Sequence, residues 1–419
     1  MKVFKFGGAS VKNADGVRNL QHIVAQECDD LVVVVSAMGK TTNALEAILE
    51  DTINGNTQGV TDKWNALLDY HYAIIQDLGL DDVYKDQLRQ WVLQTMPKSG
   101  VGYSYERLYD EVVSMGERMS TMIVTAYLQQ CGMSAVLWDM IRLLRTDDTY
   151  REAVVDMETS AQQVQEAWET LQGYRLVVAQ GFIGGTREGH PTTLGREGSD
   201  YTAAIMGNLL NAESVTIWKD VPGILNADPR LVDGTTKIDE LSYIEAVELA
   251  YSGAQVIHPK TIRPLENKSI PLYVKPFGAP KALGSVIKRD ANAVTVPVYI
   301  WRKNQVLITM RAKDFSFVLE ESLSHIFAII HKNRLRVSLI QSSAITISVC
   351  VDNTRYVQKA IQELQADYKV TWNDNLSLLT IRGTTPAILQ HEQAERDILL
   401  SQTTRRTARL VIKETNLIP

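Results

Sequence analysis

Lys2-Val3-Phe4-Lys5-Phe6-Gly7-Gly8-Ala9-Ser10 is a short apolar and aromatic run, interrupted by one lysine, that breaks on two glycines. Period-two alternation puts Phe4 and Phe6 on one face of a strand and Lys5 on the other, close to the strand end. Two glycines let the backbone approach an anion and offer it N–H groups, and a following helix start adds its dipole. That helix is written in Val17, Leu20, Ile23 and Val24, which share one face. Leu31 to Val35 is then a continuous apolar run, as a strand buried on both faces requires. It stops at Ser36, and a loop of small residues, Ala37 to Thr42, leads into another helix. Strand, loop and helix in alternation specify a layered αβα domain with a mainly parallel sheet.

Outward from there, residues 57 to 130 change character. Trp64, Leu67, Leu68, Ile74, Ile75 and Leu78 recur at helical spacing, so this stretch reads as a helical insertion. Strands resume at Ser134 to Trp138, Arg175 to Ala179 and Ser214 to Trp218. A helix around Tyr243 to Tyr251 leads to Val256, Ile257 and the His258-Pro259-Lys260 turn. A last strand, Leu272 to Val274, precedes a turn-rich stretch from Pro276 to Gly284. Beyond residue 290 the rhythm shortens. Val306 to Met310 reads as a strand, and Leu319, Leu323, Ile326, Phe327 and Ile330 as a helical stripe. Val337 to Ile340 and Ala344 to Val351 read as a strand pair, followed by a helix marked by Val357, Ile361 and Leu364. Leu376 to Arg382 and Arg409 to Ile412 flank one more helix, roughly Pro386 to Leu400. Two small βαβ-type modules in series are the simplest reading, with the boundary near Asn292.

At 419 residues, the chain is too long for one core. Its apolar fraction of 45% and charged fraction of 22% are those of an ordinary globular protein, and a net charge of -6 lacks the basic excess of a nucleic-acid binder. The basic cluster Arg405, Arg406, Arg409 and Lys413 is local and reads as a solvated strand or tail. Cys28, Cys131 and Cys350 are far apart, without metal spacing, and read as reduced thiols of a cytoplasmic protein. No apolar run reaches membrane-spanning length.

Several segments have the residue types for handling phosphate, although no Walker loop is present. Lys5 with Gly7-Gly8-Ala9-Ser10 is the first, and a lysine beside an ordinary turn explains the same residues. Leu194-Gly195-Arg196-Glu197-Gly198-Ser199-Asp200 is the second. Its arginine suits a two-pronged grip on a carboxylate, and Ser199 or Asp200 would equally cap a helix. Trp218-Lys219-Asp220-Val221-Pro222-Gly223 and Ala227-Asp228-Pro229-Arg230 suit a nucleotide's ribose and phosphates, while Pro-Gly and Asp-Pro are routine turn formers. His258-Pro259-Lys260-Thr261 offers a further cation or a plain helix start. His258 has no second ligand at metal spacing, so no protein metal site is expected. Ser36 to Asn43 is a small polar loop after a buried strand, and Glu117, taken alone, reads as a solvated surface acid.

In this order, the segments resemble the aspartate kinase family of the amino-acid kinase superfamily. The resemblance runs through K-F-G-G-A-S, V-V-S-A-M-G-K-T-T-N, G-E-R-M-S, L-G-R-E-G-S-D-Y-T-A-A, K-D-V-P-G, A-D-P-R, G-A-Q-V-I-H-P-K-T and G-S-V-I, within residues 2 to 287. It implies a catalytic domain over 1–290, with the helical insertion at about 57–130, and tandem ACT-like α+β regulatory modules over 291–419. It also implies ATP-dependent phosphorylation of the β-carboxylate of L-aspartate to 4-phospho-L-aspartate, the step that opens the route to lysine, threonine and methionine. By the resemblance, Lys5 contacts the transferring phosphoryl group and Asp200 positions the cations around it. Ser36, Thr42, Glu117, Arg196 and Ser199 would hold aspartate, with Arg196 on the α-carboxylate and Glu117 on the ammonium. Gly7, Gly8, Ser10, Lys219, Asp220, Arg230 and Lys260 would line the ATP site, with Mg²⁺ bridging phosphates. A homodimer or larger homo-oligomer through the ACT-like modules is expected on the same ground. A kinase of another amino-acid carboxylate and a catalytically weakened amino-acid sensor are the rival expectations.

The sequence departs from the family in places. Ala9 stands where threonine is usual, Glu197 replaces a common glycine, and Ser338 and Ala344 fall where lysine-sensitive relatives carry acidic residues. A missing hydroxyl beside the phosphate turn slows turnover at most, because the backbone N–H groups remain. Ala9→Thr is therefore expected to speed turnover; an unchanged kcat would show the hydroxyl to be irrelevant.

Overall fold

The computed structural model describes residues 1–96, 104–173, 175–254, 257–313 and 320–414. The chain divides into two compact units: Met1–Ile224 with Lys237–Val247 and Gln255–Ala293, and Leu225–Thr236 with Glu248–Ala254 and Val294–Pro419. Val256 and Leu319, named in the expectations above, lie outside the described residues.

The first unit opens with β1 (Lys2–Phe6), α1 (Ala14–Val24), β2 (Leu31–Val35) and α2 (Thr41–Ile53). Four further helices follow: α3 (Thr57–Asp77), α4 (Val83–Thr95), α5 (Tyr105–Val113) and α6 (Met115–Gln130). Then come β3 (Ala135–Trp138), α7 (Met140–Leu143), α8 (Met157–Glu169), β4 (Leu176–Gln180), β5 (Ile183–Gly185), β6 (Pro191–Thr193) and α9 (Gly198–Leu209). The chain continues through β7 (Ser214–Lys219), the two-residue strands β8 (Ile224–Leu225), β9 (Lys237–Ile238) and β10 (Glu240–Leu241), and α10 (Tyr243–Ser252). It closes with α11 (Pro259–Lys268), β11 (Leu272–Pro276) and β12 (Ser285–Ile287).

Among the described residues, an eight-stranded sheet runs β10-β12-β11-β7-β1-β2-β4-β3, parallel except where β12 meets β11. β1 and β2 are central and buried on both faces, which is why Leu31–Val35 carries no polar residue. On one face Phe4, Phe6, Val33 and Val35 meet Val17, Leu20, Met119 and Ile123 of α1 and α6. Trp64, Leu67, Ile74, Leu88 and Val92 of α3 and α4 join that same core, so the inserted helices enlarge it. On the other face α9 packs over β1 and β7, with α11 beside it.

The second unit holds β13 (Val298–Ala312), α12 (Glu320–Lys332), β14 (Val337–Ser342), β15 (Thr346–Asp352), α13 (Val357–Asp367), β16 (Tyr368–Arg382), α14 (Pro386–Glu395), β17 (Ile398–Thr403) and β18 (Thr407–Lys413). These strands form one antiparallel sheet in the order β14-β15-β13-β16-β18-β17. The modules are thus interleaved and do not stand in series. Val298 to Arg302 pairs with Leu378 to Arg382, and Gln305 to Ala312 pairs with Tyr368 to Leu376. The strand that completes the second module therefore precedes the whole of the first. Asn304 and Asn375, both left-handed at φ 53 and 52, sit at the irregularity between the two halves. The polar run Arg302-Lys303-Asn304-Gln305 hid the first half of β13 from an apolar-pattern reading. The expected helix to Leu400 ends instead at Glu395, and Ile398–Thr403 is a strand. Three adjacent apolar residues, Ile398, Leu399 and Leu400, fit either period.

Candidate active site

The site lies where the strand order reverses. From β1 the chain moves to β2 on one side and returns later as β7 on the other, so the carboxyl ends of β1 and β7 flank a crevice. Phe6 and Trp218 are paired across these strands and their rings stack, with centroids 6.1 Å apart. That aromatic layer occupies the α1 face and leaves Lys5 on the α9 face.

Lys5 Nζ lies 2.5 Å from Asp200 Oδ1, and Lys219 Nζ lies 3.5 Å from Asp200 Oδ2. The Asp200 side chain is only 3% exposed. Burial alone would push this carboxyl up, but the Lys5 and Lys219 ammonium groups outweigh it and hold Asp200 below the usual carboxylate range. Asp200 is in the first turn of α9, where the helix dipole favours its charge too. The helix cap is Glu197, left-handed at φ 54, so neither Ser199 nor Asp200 serves as the cap. Ser199 is buried against Gly181.

The glycine turn is built for close approach. A Cβ on Gly8 would stand 2.5 Å from the Ala37 carbonyl oxygen, and the Gly39 N–H donates to Gly8 O at 2.9 Å. The loop after β2 is therefore laid directly on the turn after β1. Ser10 N–H donates to Gly7 O, and Ser36 N–H to Phe6 O. A Cβ at Gly7 would be 3.4 Å from Lys5 Nζ, which places the ammonium group over this turn. Tyr70 of α3 also supports the loop. Its hydroxyl donates to Lys12 O at 2.5 Å and abuts Gly39. Nothing in the sequence around Tyr70 distinguishes it from other aromatic residues of that helix.

Glu117 is not a solvated acid. It is 3% exposed, in the first turn of α6, and its Oε1 accepts from the Ala37 N–H at 3.2 Å. Oε2 has no partner. Burial pushes its carboxyl up to about 8, against the pull of the Ala37 N–H, its own N–H and the Lys5 charge. Ser120 of the same helix donates to Ser36 O at 2.8 Å, so α6 grips the loop at two points. The apolar neighbours Met115, Met119 and Ile123 were the sequence signal for this burial.

Thr42 is half-buried in the first turn of α2, and Arg196 is exposed with no hydrogen bond or ion pair to any described residue. Asp220 is exposed just beyond β7. Lys260 is exposed in the first turn of α11, after His258, whose Nδ1 accepts from the Lys260 N–H at 3.2 Å. At the far end of α11, Lys268 Nζ donates to Asn208 O and Asn211 Oδ1 at the end of α9. Asn208 also donates to Pro264 O. α9 and α11 therefore lie side by side. Arg230 belongs to the second unit, where Asp228 holds its guanidinium at 2.7 Å.

The amino acid kinase family model matches residues 1–276. Lysine-sensitive aspartokinase 3 of Escherichia coli (strain K12) is 31% identical over 392 residues, which span 91% of this chain and 86% of that one. The chain belongs to the amino acid kinase family, among its aspartokinases. Aspartokinase 1, chloroplastic, of Arabidopsis thaliana is 28% identical over 396 residues, 90% of this chain and 68% of the relative. The crystal structure of E. coli aspartokinase III with aspartate and ADP superposes with a TM-score of 0.85 at 28% identity, covering 99% of this chain and 96% of that one. As a member of this family the chain is a phosphotransferase with a carboxyl acceptor.

The Glu117 proton has a consequence for stability. Between the ordinary glutamate value of 4.5 and about 8 the folded, unliganded enzyme keeps a proton that the unfolded chain releases. Stability contributed by Glu117 is therefore present at low pH and lost as pH rises through 8, by about 2–4 kcal/mol between pH 5 and pH 9. Glu117→Gln is expected to remove that component from the pH dependence of denaturant unfolding. An identical pH profile in the variant would show Glu117 to be ionised throughout.

Proposed function

We propose that this enzyme transfers the γ-phosphoryl group of ATP to the β-carboxylate of L-aspartate, yielding ADP and 4-phospho-L-aspartate. The supporting observation is the pair of ammonium groups, Lys5 and Lys219, held on one buried carboxylate at the crevice floor. A carboxylate attacking a phosphate brings like charges together, and fixed cations offset that repulsion without reorganising during the reaction. Lys5 would meet the transferring group, with Gly7 and Gly8 offering backbone N–H groups, the Ser10 hydroxyl following them, and Lys219, Asp220 and Lys260 lining the nucleotide. Asp200 holds the lysines and is not itself the nucleophile. As the aspartate oxygen bonds to phosphorus, the bond to the ADP oxygen breaks.

Aspartate would be oriented by its remaining charges. The unengaged Arg196 guanidinium suits the α-carboxylate, and the unpartnered Glu117 oxygen suits the ammonium group, with Ser36, Thr42 and Ser199 nearby in the sequence of loops. Among the described residues no group of three or more His, Cys, Asp or Glu side chains converges. Mg²⁺ would arrive on the nucleotide phosphates, keeping most of its shell from phosphate and water, as this ion commonly does. No described helix is long and apolar enough to cross a membrane, which suits a cytoplasmic enzyme. The six-stranded sheet with β14 and β17 at its margins suits edge-to-edge assembly of a homo-oligomer.

ATP, Mg²⁺ and a panel of amino acids, with hydroxylamine to trap an acyl phosphate, test the reaction. Signal with aspartate alone is expected, and Lys5→Met, which leaves Lys219 on Asp200, should lower kcat by about 10³-fold or more. Equal signal from another acid, or silence with nucleotide still bound, would sink the proposal. Regulation is expected to differ from that of lysine-sensitive relatives. The Ser338 hydroxyl accepts from the Arg302 guanidinium at 2.7 Å, so a cation already stands where those relatives carry acids. Millimolar lysine should leave the rate unchanged; tight inhibition would reverse this conclusion.

A further inference from the structure

A fully buried carboxylate outside the crevice, Asp110 of α5, is left unexplained by the phosphoryl-transfer reading. Its Oδ2 accepts from the Arg151 N–H at 3.0 Å and the Thr193 N–H at 2.8 Å, and its Oδ1 from the Thr193 hydroxyl at 2.7 Å. One side chain thus ties together three segments far apart in sequence. Thr193 ends β6, three residues before Arg196. Arg151, left-handed at φ 73, lies in the turn before α8, and that turn packs on the same loop. A Cβ at Gly195 would be 3.2 Å from both Arg151 O and Glu152 Cγ, and Ala153 N–H donates to Thr193 O at 3.0 Å.

The other end of this arrangement leads to Glu117. Ser114 both ends α5 and begins α6, so Asp110 and Glu117 are seven residues apart on two directly joined helices. The Arg151 guanidinium lies 4.5 Å from the Tyr109 ring centre, and the Tyr109 hydroxyl donates to Glu46 Oε1 of α2 at 2.6 Å. The same knot therefore also reaches the helix that carries Thr42.

We infer that Asp110 is a positioning residue for amino-acid recognition: its carboxylate fixes the backbone that carries Arg196 at a set distance from Glu117. A free α-amino acid presents its carboxylate and ammonium at one fixed separation, so the two partners must be held at a matching one. The inference rests on the reading of Arg196 as the α-carboxylate's partner, and it assigns Asp110 no contact with substrate.

The full-length enzyme is assayed with L-aspartate and with its α-amide, which keeps the ammonium and the β-carboxylate but lacks the α-charge. Asp110→Ala is expected to raise KM for aspartate about tenfold, the effect of losing one well-made polar contact, while KM for ATP stays put and the preference for aspartate over the amide shrinks. Asp110→Asn should behave almost as the parent. Its oxygen keeps both N–H donors, and its amide donates to a rotated Thr193 hydroxyl. Thr193→Val, a milder change that covers poor folding of Asp110→Ala, should raise KM for aspartate about threefold. In an Arg196→Ala background, Asp110→Ala should add nothing further. Equal losses toward both substrates, or a full additive effect on Arg196→Ala, would make Asp110 merely structural and overturn the inference. If Arg196→Ala alone leaves KM for aspartate unchanged, the assignment of Arg196 fails first and the inference falls with it.

Discussion

The rest of the first unit is arranged around one carboxylate, 3% exposed, held between two lysines. Removing one partner from such a buried set costs about 3–5 kcal/mol, because the remaining charge has no water to turn to. Lys5 comes from β1, Lys219 from β7 and Asp200 from α9, so the set forms only if the two strands are neighbours and the helix start lies over their ends. Parallel pairing of β1 with β7 supplies the first condition, and the packing of α9 across both supplies the second. Two ammonium groups thus converge on one carboxylate at the crevice floor.

Close backbone packing carries this constraint outward. With Gly8 against Ala37 and Gly39, the turn after β1 and the loop after β2 act as one body. α6 then holds the loop through Glu117 and Ser120. A shift at either strand end would therefore be felt at Glu117. Tyr70, on an inserted helix, braces the same loop from outside. The inserted helices thus serve the crevice as well as the core.

Much of this was legible in the residues, and what was not has identifiable causes. The alternation Phe4-Lys5-Phe6 gave the direction of Lys5, because strand geometry leaves no choice of face. The polar-free run Leu31–Val35 announced a central strand. The resemblance sets Asp200 among cations, but the membership of Lys219 in that set is not readable, because its approach to Asp200 depends on how β7 and α9 pack. Glu117 looked ordinary because an isolated acid carries no local mark of burial; only its apolar neighbours do. The interleaving of the second unit escaped because half of β13 is written in polar residues, paired along a sheet whose partners lie more than seventy residues on. Asp110 had no signal at all, since its partners are two backbone N–H groups and one hydroxyl.

The buried proton on Glu117 bears on which amino acid the crevice admits. A carboxyl that holds its proton to about 8 is poorly matched to its surroundings as an anion until a cation arrives. A substrate with a free ammonium group would supply that cation, stabilise the carboxylate and release the proton on binding. An N-acylated acid has no such charge to offer, and would leave either a neutral acid against an amide or an uncompensated anion in an apolar site. The same burial that makes Glu117 costly in the empty enzyme would thus make the ammonium group count heavily. Asp110, by holding the Arg196 loop against the helix pair that carries Glu117, would convert that chemical preference into a geometric one. On the proposed roles, charge would select the free amino acid, and the fixed spacing would set how its reacting carboxylate faces Lys5.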